Sequence, residues 1–118
     1  MQFNHYLNFQ GETEVAFNFY KSVFGGEFSH FQKYTDLADA QITEHEKDYV
    51  LHVSLPINAF TELMGSDTSE QFCAQNSAPF IKGNNHYISI NLDANEQADA
   101  KRLFDALSLN GQVEMPLE

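Results

Sequence analysis

The sequence predicts an α+β fold built from two related βαβββ modules, the second cut short, and three observations carry that prediction. The opening Asn-His-Tyr occurs twice, in Asn4-His5-Tyr6-Leu7 and again in Asn85-His86-Tyr87-Ile88. Each copy leads through an alternating strand pattern into an amphipathic helix pattern, and a glycine stop closes each helix. A repeat this long signals duplicated half-domains and not a short-period solenoid.

In the first copy, the strand ends at Leu7 and Phe9, and Glu12 to Phe24 has helix periodicity. Ala16, Phe19, Tyr20, Val23 and Phe24 form its apolar stripe. Glu12 and Glu14 suit the positive end of the helix dipole, and Gly25-Gly26 ends the last turn. A second strand follows from Glu27 to Tyr34. The stretch from Thr35 to Asp48 is acidic and weakly periodic, and reads as a solvated excursion. Tyr49 to Leu55 and Ala59 to Met64 read as an antiparallel hairpin around Pro56-Ile57-Asn58, and Gly65-Ser66-Asp67-Thr68 reads as a turn. Loop-forming residues dominate from Gly65 to Asn85, with Phe72, Phe80 and Ile81 as its only apolar anchors.

In the second copy Ile88, Ile90 and Leu92 make a strand. Asp93 to Glu96 has capping-box spacing before a helix from Glu96 to Leu107. Ala100, Leu103, Phe104 and Leu107 form its stripe, Asn110-Gly111 stops it, and Gln112 to Met115 begins another strand. The resulting division is one domain over 1–118, with a first module over 1–66, an inter-module loop over 67–84 and a partial second module over 85–118. Two strands of the symmetrical arrangement are missing, so the chain is expected either to be truncated or to have its sheet edge filled by something else.

Composition narrows the partners. Of the 118 residues 42% are hydrophobic, and the eleven phenylalanines with no tryptophan point to a Phe-rich core. Seventeen acidic residues against six basic ones give a formal charge of −11, which repels phosphate backbones and anionic lipid surfaces. Nucleic acid and membrane are therefore not expected partners. The lone Cys73 forms no internal disulfide, and the N-terminus lacks the pattern of a secretion signal, so a cytoplasmic location is expected.

Strand alternation selects the candidate ligand contacts. Asn4, Tyr6 and Asn8 share one face of the first strand, and His5, Leu7 and Phe9 share the other. Tyr87, Ser89 and Asn91 repeat the polar row in the second copy, opposite Ile88, Ile90 and Leu92. His52, within Val50-Leu51-His52-Val53, is either a cavity-lining hydrogen-bonding group or a core group. Glu62 is either an exposed strand glutamate or, facing a cavity, a base or metal ligand. The ligand-binding candidates are thus Asn4, Tyr6, Asn8, His52, Glu62, Tyr87, Ser89 and Asn91. His5 and His86 fall on the apolar faces, which argues against ligation, and His30 and His45 have unremarkable settings. No metal set and no catalytic residue is assigned. The chain has no phosphate-binding loop, dinucleotide fingerprint or nucleophile elbow.

Tyr6-Leu7-Asn8-Phe9, Gly11, Ala16-Phe17, Phe19-Tyr20, Val23-Phe24-Gly25-Gly26, His52, Leu63-Met64-Gly65-Ser66-Asp67, Ile88-Ser89-Ile90-Asn91 and Gly111 carry a resemblance over nearly the whole chain. The sequence resembles the PhnB-like branch of the vicinal oxygen chelate superfamily, which includes glyoxalase I, bleomycin-resistance proteins and extradiol dioxygenases. The resemblance implies paired βαβββ modules whose curved sheets enclose a small-molecule cavity, commonly in a homodimer. In metal-dependent members, ligands come from the first and last strands of each module. Those positions fall here on Asn4, Glu62 and Tyr87, with the last beyond Glu118, which departs from the usual histidine and glutamate pattern. The expected function is small-molecule binding by a metal-free or weakly metal-binding protein, with no cofactor assigned beyond a possible divalent metal. A divalent-metal-dependent lyase, isomerase or dioxygenase acting on vicinal oxygens is the alternative, and an assembly unit pairing through its open sheet edge is a third reading.

Overall fold

The computed structural model describes residues 1–36, 43–69 and 80–117. The chain falls into two compact units, Met1–Asn84 and Asn85–Glu118. Among its described residues the first holds a mixed four-stranded sheet and one α-helix. Its elements are β1 (His5–Phe9), α1 (Thr13–Phe24), β2 (His30–Lys33), β3 (Val50–Pro56) and β4 (Glu62–Asp67). The sheet order is β1-β4-β3-β2, with β1 parallel to β4 and the other pairs antiparallel. The second unit holds α2 (Gln97–Ser108), so the architecture is α+β.

The core lies between α1 and one face of the sheet. Phe17, Val50, Val53 and Leu55 are fully buried there, with Phe9, Tyr20, Phe28, Phe31 and Leu63 packed around them. The helix face is therefore rotated from the one its periodicity suggests: Phe17, absent from that stripe, is its centre, and Phe19 is exposed. Seven of the twelve helix residues are apolar and they spread over more than one face, so tertiary fit chooses the face. Gly65 supplies the fit, because a Cβ there would lie 2.6 Å from Phe17 Cε1 and 2.9 Å from the Leu7 carbonyl oxygen. Only a residue without a side chain lets the ring sit against the strand.

This packing also corrects the turn expected at Gly65-Ser66-Asp67-Thr68. β4 starts later than Ala59 and continues to Asp67, because Leu7, Asn8 and Phe9 of β1 pair with Gly65, Ser66 and Asp67. The preceding residues form the turn instead. Asn58 Oδ1 accepts the Phe60 N–H at 2.8 Å, the Thr61 N–H at 2.9 Å and the Thr61 hydroxyl at 3.0 Å. β2 is likewise shorter than Glu27 to Tyr34, and a 3₁₀ turn follows it at Tyr34–Asp36.

The acidic excursion is not uniformly solvated. Glu46 is buried and accepts the hydroxyl of buried Ser69 at 2.6 Å. Ile81 is 77% exposed, so it anchors nothing. Phe72 and Cys73 lie outside the described residues.

In the second unit, the Asp93 backbone N–H donates to Glu96 Oε1 at 3.2 Å within a capping box. The box caps a 3₁₀ turn at Ala94–Glu96 that runs into α2. Asn110 closes this end with φ 63°, and the Gly111 N–H returns to the Ser108 carbonyl at 2.9 Å. The strands expected at Ile88 to Leu92 and Gln112 to Met115 do not form among the described residues. A strand needs a hydrogen-bonded neighbour, and no described segment supplies one to either stretch. Ile88, Ile90 and Leu92 instead line an open groove of about 690 Å³ with Leu103, Phe104 and Leu107.

Candidate ligand-binding face

The sheet face turned away from α1 is polar and aromatic, and alternation builds it residue by residue. Along β1, Tyr6 and Asn8 are exposed, while His5, Leu7 and Phe9 are half-buried. On β3, Val53 and Leu55 enter the core, which turns His52 and Ser54 to the opposite face. Pairing then brings in β2 and β4: His30 stands opposite Ser54, Gln32 opposite His52, and Met64 opposite both Tyr6 and Ser54. A register shift at Gln32/Lys33 lets Val50 remain in the core although it is three residues from Val53.

Aromatic groups meet at the middle of this face. The Tyr6 hydroxyl lies 3.0 Å from His52 Nδ1, and the two rings stack with centroids 5.7 Å apart. The His30 and His52 rings lie 5.1 Å apart. Burial, followed by the neighbouring His30, holds the His52 imidazole below the ordinary histidine range, with Glu62 opposing the shift. His52 is thus neutral at pH 7, and if its Nδ1 accepts from Tyr6, its Nε2–H is a donor.

Glu62 Oε1 accepts the Ser29 hydroxyl at 3.4 Å, and Asn8 Oδ1 accepts the Ser66 hydroxyl at 3.3 Å. Ser54 is only 3% exposed, and its hydroxyl has no hydrogen-bond partner among the described residues. That unpaired group is costly to bury, and it sits between His30 and Met64 in the pairing register.

Five of the residues singled out from sequence therefore belong to the first unit. Tyr6, Asn8, His52 and Glu62 are positioned by three adjacent strands. Asn4 has a different use, since its Oδ1 accepts the Glu62 backbone N–H at 3.1 Å and ties the start of β1 to the start of β4. The other three lie in the second unit. Tyr87 Oη donates to Glu114 Oε2 at 3.0 Å, which raises the phenol above its ordinary range, and Ser89 Oγ donates to Asn91 Oδ1 at 3.3 Å. Tyr87 also lines the apolar groove beside Ile88, so it does not stand strictly opposite the isoleucines.

His30 and Ser54 were not legible as site residues. The signal for His30 is its alternation with Phe31, which places it beside His52 once β2 and β3 are paired. Among the described residues, no group of three or more His, Cys, Asp or Glu side chains is placed to hold a metal ion. Asn4, expected at the first metal position, is occupied with the Glu62 backbone. No helix among the described residues is long and apolar enough to cross a membrane.

No family model matches this chain, and no curated protein matches it. Two solved structures are similar. A PhnB protein from Bacillus cereus, named as a candidate 3-demethylubiquinone-9 3-methyltransferase, is 21% identical with a TM-score of 0.68, over 99% of this chain and 81% of that one. Protein PA1353 from Pseudomonas aeruginosa is 31% identical with a TM-score of 0.77, over 99% of this chain and 79% of that one. With that identity across nearly its whole length, the chain belongs to the family of protein PA1353, and its fold is PhnB-like.

Proposed function

We propose that this chain is a small-molecule-binding protein of the vicinal oxygen chelate superfamily, with its ligand seated on the sheet face turned away from α1. The carrying observation is the convergence of Tyr6, His30, His52, Ser54 and Glu62 from all four strands onto that face. Sheet folds place side chains for core or for solvent. A half-buried His52 stacked on Tyr6, with the exposed His30 ring against it and an unpaired buried hydroxyl beside them, fits neither use as well as it fits a ligand. In this proposal the first βαβββ module runs through the end of β4 at Asp67, and residues 85–118 are part of a second.

The test is a ligand-observed NMR screen of a metabolite library against the wild-type protein and a His52→Ala variant. Hits that bind the wild type and lose at least tenfold in affinity on His52→Ala support the reading. Hits whose affinity is unchanged by the substitution contradict it.

We also propose a cytoplasmic homodimer. Ile88 is 51%, Ile90 45% and Met115 78% exposed in the second unit, an apolar surface of the kind that pairs with another chain. Light scattering should give twice the mass of the 13.4 kDa chain, and monomer mass at high concentration would count against this reading.

A further inference from the structure

We propose that the open face selects an uncharged molecule carrying a planar ring and one hydroxyl or carbonyl oxygen, and that Ser54 Oγ holds this oxygen beside His30 and His52. The inference rests on the small-molecule reading above and names the class of molecule for the same face.

Ser54 supplies the polar anchor. Its hydroxyl can both donate and accept, it is buried, and it has no partner among the described residues. A ligand oxygen of either hydrogen-bonding sense restores the missing bond. His52 adds a second contact, since the Tyr6 hydroxyl engages only one of its ring nitrogens and leaves Nε2 to the ligand.

The surroundings specify the ring. Tyr6 and His52 stack with an interplanar angle of 24°, and the His30 ring meets His52 at 53°. Such faces accept a planar group by offset or edge contact, and Met64, between Tyr6 and Ser54 in the register, offers an adaptable apolar contact.

Charge completes the selection. Glu62 lies on the same face, and the chain as a whole carries −11, so a carboxylate or phosphate ligand meets a negative field. The His52 imidazole does not reverse this at pH 7, because a cation on it is disfavoured by burial and by His30. A cationic ligand gains from Glu62 but offers no acceptor to the His52 Nε2–H. The uncharged oxygen-bearing ring fits every group on the face.

The experiment is a heteronuclear NMR titration of the full chain at pH 7.5 with 4-methylphenol, toluene, benzoate and benzylammonium. Saturable shifts at His30, His52 and Ser54 are expected with 4-methylphenol, with about five- to tenfold weaker binding of toluene, the size of one hydrogen bond. Ser54→Ala should remove this preference while toluene binding stays unchanged, which separates an anchoring hydroxyl from a merely structural one. A preference for 4-methylphenol that survives Ser54→Ala overturns the assignment of Ser54. Stronger shifts at the same residues from benzoate or benzylammonium overturn the uncharged class and leave the small-molecule reading standing. Shifts by no probe at these residues overturn both.

Discussion

Asp67 concentrates more of the fold on one side chain than any other polar residue among the described residues of the first unit. Its buried Oδ1 accepts the Gly11 N–H at 2.7 Å, the Thr13 N–H at 3.2 Å and the Thr13 hydroxyl at 2.7 Å, and Oδ2 accepts the Val50 N–H at 2.8 Å. One carboxylate thus joins the end of β4 to the loop before α1, the first turn of α1 and the start of β3. The position suits an anion, because the first N–H groups of a helix have no partners within it. Removing the carboxylate leaves four donors without their acceptor, three of them in buried bonds. Asp67→Ala should therefore cost about 3–5 kcal/mol, read by urea denaturation. A loss below about 1 kcal/mol would mean that water replaces the carboxylate.

His52 makes a second residue-level prediction. Its folded-state value lies below the unfolded value near 6.5, so the folded state binds fewer protons as pH falls toward that range. The stability it contributes is fully present above pH 6.5 and is lost as pH falls through the depressed folded value. Thermal melts from pH 8 to 5 should show this decline, and His52→Gln should remove the part of it that belongs to this residue. A decline identical in the variant would assign the pH dependence elsewhere.

At the scale of elements, the join between α1 and β4 depends on volume. Gly65→Ala places a methyl group against Phe17 and the Leu7 carbonyl, neither of which can give way without moving the helix or the β1 strand. The expected cost is about 1–3 kcal/mol from overpacking, and the Phe17→Leu background should recover part of it. Additive losses in the double variant would show that the two residues do not share one space.

These elements also show what a sequence discloses. The alternation of Tyr6 and Asn8 against Leu7 and Phe9, and the amphipathic runs of both helices, are local signals, and they place β1, α1 and α2 within a residue or so. The end of β4 was hidden because Gly65, Ser66 and Asp67 are ordinary turn residues, held extended by the pairing of β4 with β1 some sixty positions away. Phe17 was hidden for a related reason: the helix offers several apolar faces, and a glycine in a distant strand decides between them. The site divides in the same way. Tyr6 and Glu62 could be selected from their own strands, whereas His30 gains its meaning from His52 and Ser54 from the partner it lacks. Asp67 could not be read at all, since its partners lie at positions 11, 13 and 50.

For the whole molecule, the two units carry different kinds of surface. The first completes a four-stranded sheet and gathers aromatic and titratable groups on the face away from its helix. The second leaves its apolar residues along an open groove, with no strand among its described residues. In the proposed function, the first surface holds a ligand and the second meets another chain. Substituting Ile90 and Met115 together by serine should lower dimer affinity by at least tenfold, measured by sedimentation equilibrium, if that groove is the meeting surface. An unchanged dimer would place the contact elsewhere.

The central claim is that the open sheet face of the first unit binds a small molecule, and chemical-shift mapping of a labelled protein during a metabolite screen tests it most directly. The account predicts that bound compounds shift Tyr6, His30, His52, Ser54 and Glu62 together and leave α1 residues such as Val15 and Asn18 unmoved. Binding that shifts α1 residues while those five stay in place would contradict it.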